Sequence, residues 1–129
     1  MQIGELAKQT GCSIQTIRFY ERKGLLDKPS RSEGNYRLYD KAAADRLIFI
    51  KQCRALDISM KEVERLLEQK NSPNQSCANV NLLIEEHIAQ VDAKIDELQQ
   101  LKTVLADMSQ KCSNENTIKT CGILSELER

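Results

Sequence analysis

The stretch CANVNLLIEEHIAQVDAKIDELQQLKTVLADMSQKC, residues 77–112, decides the architecture of this chain. Its apolar positions Ile84, Ile88, Val91, Ile95, Leu98, Leu101, Leu105, Met108 and Cys112 follow one another in steps of three and four, the spacing of a coiled-coil seam. No Pro or Gly interrupts the stretch, which predicts one continuous helix to about Cys112. The remaining chain is too short to bury so long a seam, and a second copy of the same helix is the expected cover. Cys77 and Cys112 stand 35 residues apart, roughly 50 Å along a straight helix, so one chain cannot bring both to a shared ligand. If two copies pair antiparallel, Cys77 of one chain meets Cys112 and Cys121 of the other. A C2 dimer then carries two identical three-thiol sites.

The totals fit that picture. A chain of 129 residues holds one small domain plus an extension. It has no apolar run long enough to span a membrane, and Met1-Gln2-Ile3-Gly4-Glu5 lacks the basic and apolar segments of a secretory leader. A cytoplasmic protein with no membrane partner is expected. The five cysteines, at 12, 53, 77, 112 and 121, are odd in number and too scattered for a disulfide framework; metal-binding or reactive thiols fit better. The zero net charge hides an asymmetry: residues 1–75 carry +4 and residues 76–129 carry −4. A basic front half suits a polyanion.

Within that front half, Ile3 to Gln9 reads as a helix ended by Gly11, and Ser13 caps a second one from Ile14 to about Lys23. Joined by Thr10-Gly11-Cys12, they read as a helix-turn-helix whose second helix enters a DNA major groove. Ile14, Ile17 and Phe19 are expected inward, and Gln15, Thr16, Arg18, Tyr20 and Arg22 outward. Gly34-Asn35 marks a hairpin turn, and its flanks make a short two-stranded wing in which Arg31, Tyr36 and Arg37 can hold phosphates. Asp40 opens a third helix with Ala43, Leu47, Ile50, Cys53 and Leu56 inward. Ser59-Met60-Lys61-Glu62 is a capping box for a fourth, with Val63, Leu66 and Leu67 inward. Polar residues 71–76, with Pro73, form a hinge before the long helix.

Ile3-Gly4-Glu5-Leu6-Ala7, Thr16-Ile17-Arg18-Phe19-Tyr20-Glu21, Lys23-Gly24-Leu25-Leu26 and Asn35-Tyr36-Arg37-Leu38-Tyr39 together resemble the winged-helix head of MerR-family transcription regulators. The rear half, through Glu86-His87-Ile88, Cys112 and Cys121-Gly122-Ile123-Leu124, is most similar to the family's cadmium- and lead-responsive branch. The resemblance implies a mainly α fold: a winged helix-turn-helix over 1–75, an antiparallel coiled-coil dimerisation helix over 76–112, and a metal-binding loop with a short helix over 113–129. It implies a homodimer on double-stranded operator DNA that acts on RNA polymerase indirectly, by distorting an overlong promoter spacer when metal binds. Thr16, Arg18 and Tyr20 on the recognition helix, Arg31, Tyr36 and Arg37 in the wing, and Arg54 behind them match the family's DNA contacts.

Three thiolates with no histidine in the loop favour soft ions. In the resembled family a Cys at the position of Cys77 goes with divalent ions, and the zinc sensors' extra loop Cys or His is missing from residues 113–120. Cd(II) or Pb(II) is therefore the expected effector bound by Cys77, Cys112 and Cys121, with Hg(II) or Zn(II) as alternatives. His87, the single histidine, reads as a structural residue of the long helix, with a weak second metal site as the competing reading. A thiol redox switch at Cys112 and Cys121 is the rival from another class. An enzyme is not expected, because no phosphate loop or nucleophile–base constellation is present.

Overall fold

The computed structural model describes residues 1–129 and divides them into two units, Met1–Val80 and Asn81–Arg129. The elements in chain order are α1 (Ile3–Thr10), α2 (Ile14–Arg22), β1 (Ser30–Arg31), β2 (Arg37–Leu38), α3 (Lys41–Ala55), α4 (Met60–Lys70), α5 (Ala78–Ser109), a 3₁₀ turn (Ile118–Thr120) and α6 (Gly122–Leu127). No helix is long and apolar enough to cross a membrane.

In the first unit, each helix boundary has a chemical cause. α1 stops because Gly11 takes a left-handed φ of 70°, which side chains resist. Two residues later Ser13 Oγ accepts from Thr16 N at 3.1 Å and starts α2, so the tight turn between the helices is fixed at both ends. Asp40 Oδ1 accepts from Ala43 N at 3.0 Å to start α3. At α4 the reciprocal bonds of the capping box are both made: Glu62 N donates to Ser59 Oγ at 3.2 Å, and Ser59 N to Glu62 Oε1 at 3.0 Å. α1 packs on α2 and α3, and α3 on α4, around Leu6, Ile17, Leu47, Ile50 and Val63, all enclosed. Burying each such side chain contributes roughly 1.5–3 kcal/mol before ordering costs.

Four inward assignments, Ile14, Phe19, Ala43 and Leu56, and one outward assignment, Tyr20, are corrected. On α2, Tyr20 is buried beside Ile17, whereas Ile14 and Phe19 stay more than a third exposed at 38% and 37%. Positions 17 and 20 share a face at a three-residue step; position 19 lies about 100° from 20 and about 160° from 17, and falls on the rim. On α3 the stripe runs through Ala44 rather than Ala43. It ends at Cys53, because α3 stops at Ala55 and leaves Leu56 exposed. Ile58 fills the core there instead, reached through Asp57 at a φ of 61°.

β1 and β2 pair antiparallel, with Ser30 opposite Leu38 and Arg31 opposite Arg37. Asn35 carries the left-handed step of the turn, at φ 64°. In the second unit α5 dominates, ending at Ser109, three residues before Cys112. Its seam residues Ile84, Ile88, Val91, Ile95, Leu98, Leu101 and Leu105 are all exposed in the single chain. Their burial requires something outside it.

Candidate metal centre and nucleic-acid interface

The basic side chains of α2 converge with one from α3. An open groove of about 750 Å³ is lined by Gln15, Thr16, Arg18, Phe19, Tyr20, Arg22, Arg54 and Met60. Three of the expected contacts, Thr16, Arg18 and Arg54, therefore share one concave surface with Gln15 and Arg22, which the sequence placed outward without naming them as contacts. The signal was available, since 15, 18 and 22 follow the helical repeat of one exposed face. Tyr20, expected outward, is corrected in its place, although it too lines the groove. Its ring belongs to the core, and burial first, then nearby Cys12, raises its phenol above the ordinary value against the lowering effect of Arg54. Arg54 Nη1 donates to Ile58 O at 2.6 Å, which fixes the guanidinium at the end of α3.

The wing's polar residues divide in two. Arg31 and Tyr36 are exposed, Arg31 Nη1 donating to Asn35 O at 3.1 Å and so bracing the turn. Arg37 faces back toward α2, with its Nε 3.8 Å from Glu21 Oε2. Tyr39 is buried and its hydroxyl donates to the same carboxylate, through Oε1. Burial, the bond to Glu21 and the charge of Glu21 push the Tyr39 phenol up to about 12, while Arg37 and Arg18 work in the opposite direction. Glu21, unnoticed in the sequence except as part of a motif, thus ties the recognition helix to the wing strand that follows it.

In the second unit, residues 110–121 fold into a loop held by its own backbone. Asn116 N donates to Ser113 O at 3.0 Å, Glu115 N to Ser113 Oγ at 3.0 Å, and Cys121 N to Ile118 O at 3.2 Å. α6 follows, and Lys111 Nζ meets Glu126 Oε1 at 2.8 Å. The loop brings Cys112 and Cys121 close enough for each thiol to shift the other's pKa. The N–H of Leu124, then the Cys112 side chain and the N–H of Ile123, hold Cys121 below the ordinary thiol value. Cys112 is pushed up, chiefly by the neighbouring Cys121 side chain and then by burial. Two cysteine side chains, both partly accessible and one of them with a lowered pKa, suit a soft thiophilic cation.

The other cysteines differ. Cys53 is buried on α3 and burial raises its pKa, which marks a structural thiol. Cys77 is exposed ahead of α5, and no disulfide joins any of the five. His87 is half-buried on α5. Within one chain no three His, Cys, Asp or Glu side chains gather as a metal site, so the chain by itself presents two thiols rather than three.

The family described as MerR HTH family regulatory protein matches residues 1–70, and the one described as MerR, DNA binding, matches residues 44–108. A transcriptional regulator from Haemophilus influenzae, a homolog of ZntR, is 41% identical over 111 residues, which are 86% of this chain and 82% of that protein. The mercuric resistance operon regulatory protein of Bacillus cereus is 33% identical over 98% of this chain and 96% of its own. Among solved structures, the transcription regulator PbrR691 from Ralstonia metallidurans CH34, in complex with lead(II), superposes with a TM-score of 0.89 at 47% identity, covering 98% of both chains.

Proposed function

The chain belongs to the MerR family of helix-turn-helix regulatory proteins, and from that premise we propose that it is a metal-responsive transcription regulator that binds operator DNA as a homodimer and responds to Cd(II) or Pb(II). Such proteins act by binding DNA, not as enzymes. The observation that carries the metal assignment is the pair of thiols Cys112 and Cys121, held in contact by a hydrogen-bonded loop. We assign the third ligand to the partner's Cys77, delivered by antiparallel pairing of α5 through its bare apolar seam. When bound, the ion supplies thiolate bonds that join the two chains at each end of the paired helices.

Support for the choice of ion comes from donor chemistry and from likeness. Sulfur donors without a loop imidazole favour soft ions, and the 47%-identical neighbour was solved with lead(II). A Hg(II)- or Zn(II)-responsive regulator is the second reading, supported by the mercuric and ZntR-type relatives. His87 is left as a residue of the helix, with no role assigned in the effector site.

On the DNA side, Arg18, Arg22 and Arg54 with Thr16 and Gln15 face the duplex in the reading proposed here, and Arg31, Tyr36 and Arg37 hold the flanking phosphates. Polymerase is reached through the operator's shape. Bending a short duplex costs roughly 1–6 kcal/mol, and metal can shift the balance between two protein–DNA states only by binding one more tightly than the other.

A competitive titration of reduced protein with Cd(II), Pb(II), Hg(II) and Zn(II), repeated on Cys77→Ser, tests the assignment. One ion per chain, lost in the variant and preferring Cd(II) or Pb(II) over Zn(II), is expected. Binding that ignores Cys77→Ser would confine the site to the loop, and preference for Zn(II) would replace the ion.

A further inference from the structure

Two positions that flank the thiol pair, one on each side of the loop, are in contact through their backbones. Lys111 precedes Cys112 and Gly122 follows Cys121. A Cβ added at Gly122 would stand 2.2 Å from Lys111 O, 3.1 Å from Lys111 C and 3.4 Å from Lys111 Cβ. Non-bonded atoms do not approach a carbonyl oxygen that closely, and the obstacle is main chain, which cannot swing aside as a side-chain tip can. Only glycine lets α6 begin where it does. One turn further along, Glu126 reaches back to the same lysine at 2.8 Å. The loop is thus pinned at its mouth twice, by a close backbone approach and by an ion pair.

From this we infer that Gly122, with the Lys111–Glu126 pair, is the positioning device that presets the Cys112–Cys121 spacing before any ion arrives. The inference rests on the metal reading above for its purpose, but the contact itself is independent of metal. Any side chain at 122 must push α6 away from the end of the long helix, and Cys121 moves with α6 because it is its capping residue. The thiols then separate, and an ion must bear the cost of regathering them. Removing the lysine–glutamate pair alone loosens α6 without a clash, so a smaller effect is expected.

The test uses the full-length reduced dimer and two readouts. The first is Cd(II) affinity by competition, followed through thiolate-to-metal ultraviolet absorption. Gly122→Ala is expected to lower it by roughly 10- to 100-fold, the usual cost of losing support behind a ligand, and Glu126→Gln by less. Ser125→Ala, an exposed change on α6, should stay within about twofold. The second readout needs no metal: closure of the Cys112–Cys121 disulfide by oxidised glutathione, with Cys12, Cys53 and Cys77 replaced by Ser. Slower closure in Gly122→Ala supports the positioning role, since the mutual effective concentration of the thiols has fallen. Equal closure rates and equal Cd(II) affinity in Gly122→Ala and the parent overturn it. If the parent ignores Cd(II) while Gly122→Ala still slows closure, the clasp stands and the proposed signal falls instead. Retained operator binding by each variant excludes global misfolding as the cause.

Discussion

At the scale of single residues, the most informative group is Glu21. Its two carboxylate oxygens serve Tyr39 and Arg37, so the recognition helix and the wing share one anchor. A pure phosphate contact, if removed, weakens binding to every sequence and lowers the salt slope by about 1 unit. Arg37→Ala should do this, read from operator and random-duplex affinities across a salt series; a change confined to sequence preference would show that Arg37 reads bases. Tyr39 gives a second test, through pH. Its phenol is neutral when protonated and its pKa is raised from 10.0 to about 12 in the fold. The stability it contributes is therefore complete below pH 10 and is lost as pH climbs from 10 to 12, by about 2–3 kcal/mol at most. Tyr39→Phe should flatten that part of the denaturation profile relative to the parent. If both proteins lose stability in parallel over that window, the shared bond to Glu21 contributes nothing.

At the scale of elements, local punctuation was readable, and so was the buried face of α4 and most of that of α3, whereas the rotational phase of α2 was not. Gly11, Ser13, Asp40 and the Ser59–Glu62 box each act through bonds among near neighbours, so sequence alone places the ends they define. Which side of α2 is buried depends on packing against α1 and α3. There Phe19 and Tyr20 compete for one slot, and packing turns Tyr20 inward and leaves Phe19 on the rim. Leu56 is the residue at which α3 ends, so its place in the stripe holds only for a helix that continues past Ala55. Arg22 and Gln15 were within reach of a periodicity argument but carry no distinctive chemistry as single residues. The loop pair Cys112 and Cys121 was visible as a spacing, whereas the contact of Gly122 with Lys111 leaves no trace in composition. Capping energetics give a prediction here. Ser59→Ala removes one bond of the box and leaves a donor of α4 unmatched, and should cost about 1 kcal/mol in urea denaturation. A loss below a few tenths would mean that solvent replaces the bond without penalty.

At the scale of the whole molecule, the exposed seam of α5 and the incomplete thiol set lead to the same requirement, a second chain. A seam that stays bare in one chain contributes nothing to folding and leaves apolar surface in water, roughly 25 cal/mol lost for each Å². Leu98→Glu places a charge within that seam, and in an isologous pair the change is repeated on the partner. The expected result in sedimentation is a monomer, with operator binding lost because two half-sites can no longer be held at fixed spacing. A dimer of unchanged affinity would move the interface elsewhere.

The coupling between effector and operator then depends on Cys77, the one ligand that the proposed site takes from the other chain. Cys77→Ser should leave metal-free operator affinity nearly unchanged, because Cys77 lies outside the unit's DNA-facing groove. It should abolish the metal-induced change in promoter output. Allosteric couplings of this kind amount to about 1–3 kcal/mol, or 5- to 150-fold in affinity between states, and must be reciprocal. Operator DNA that mimics the distorted state should therefore tighten Cd(II) binding in the parent by the same factor that metal tightens the protein on that DNA. In Cys77→Ser both factors should fall to about 1 together, since one free energy underlies them. If distorted DNA still tightened Cd(II) binding in the variant, the two loop thiols would be carrying the signal alone, and the bridge between chains would have no part in it.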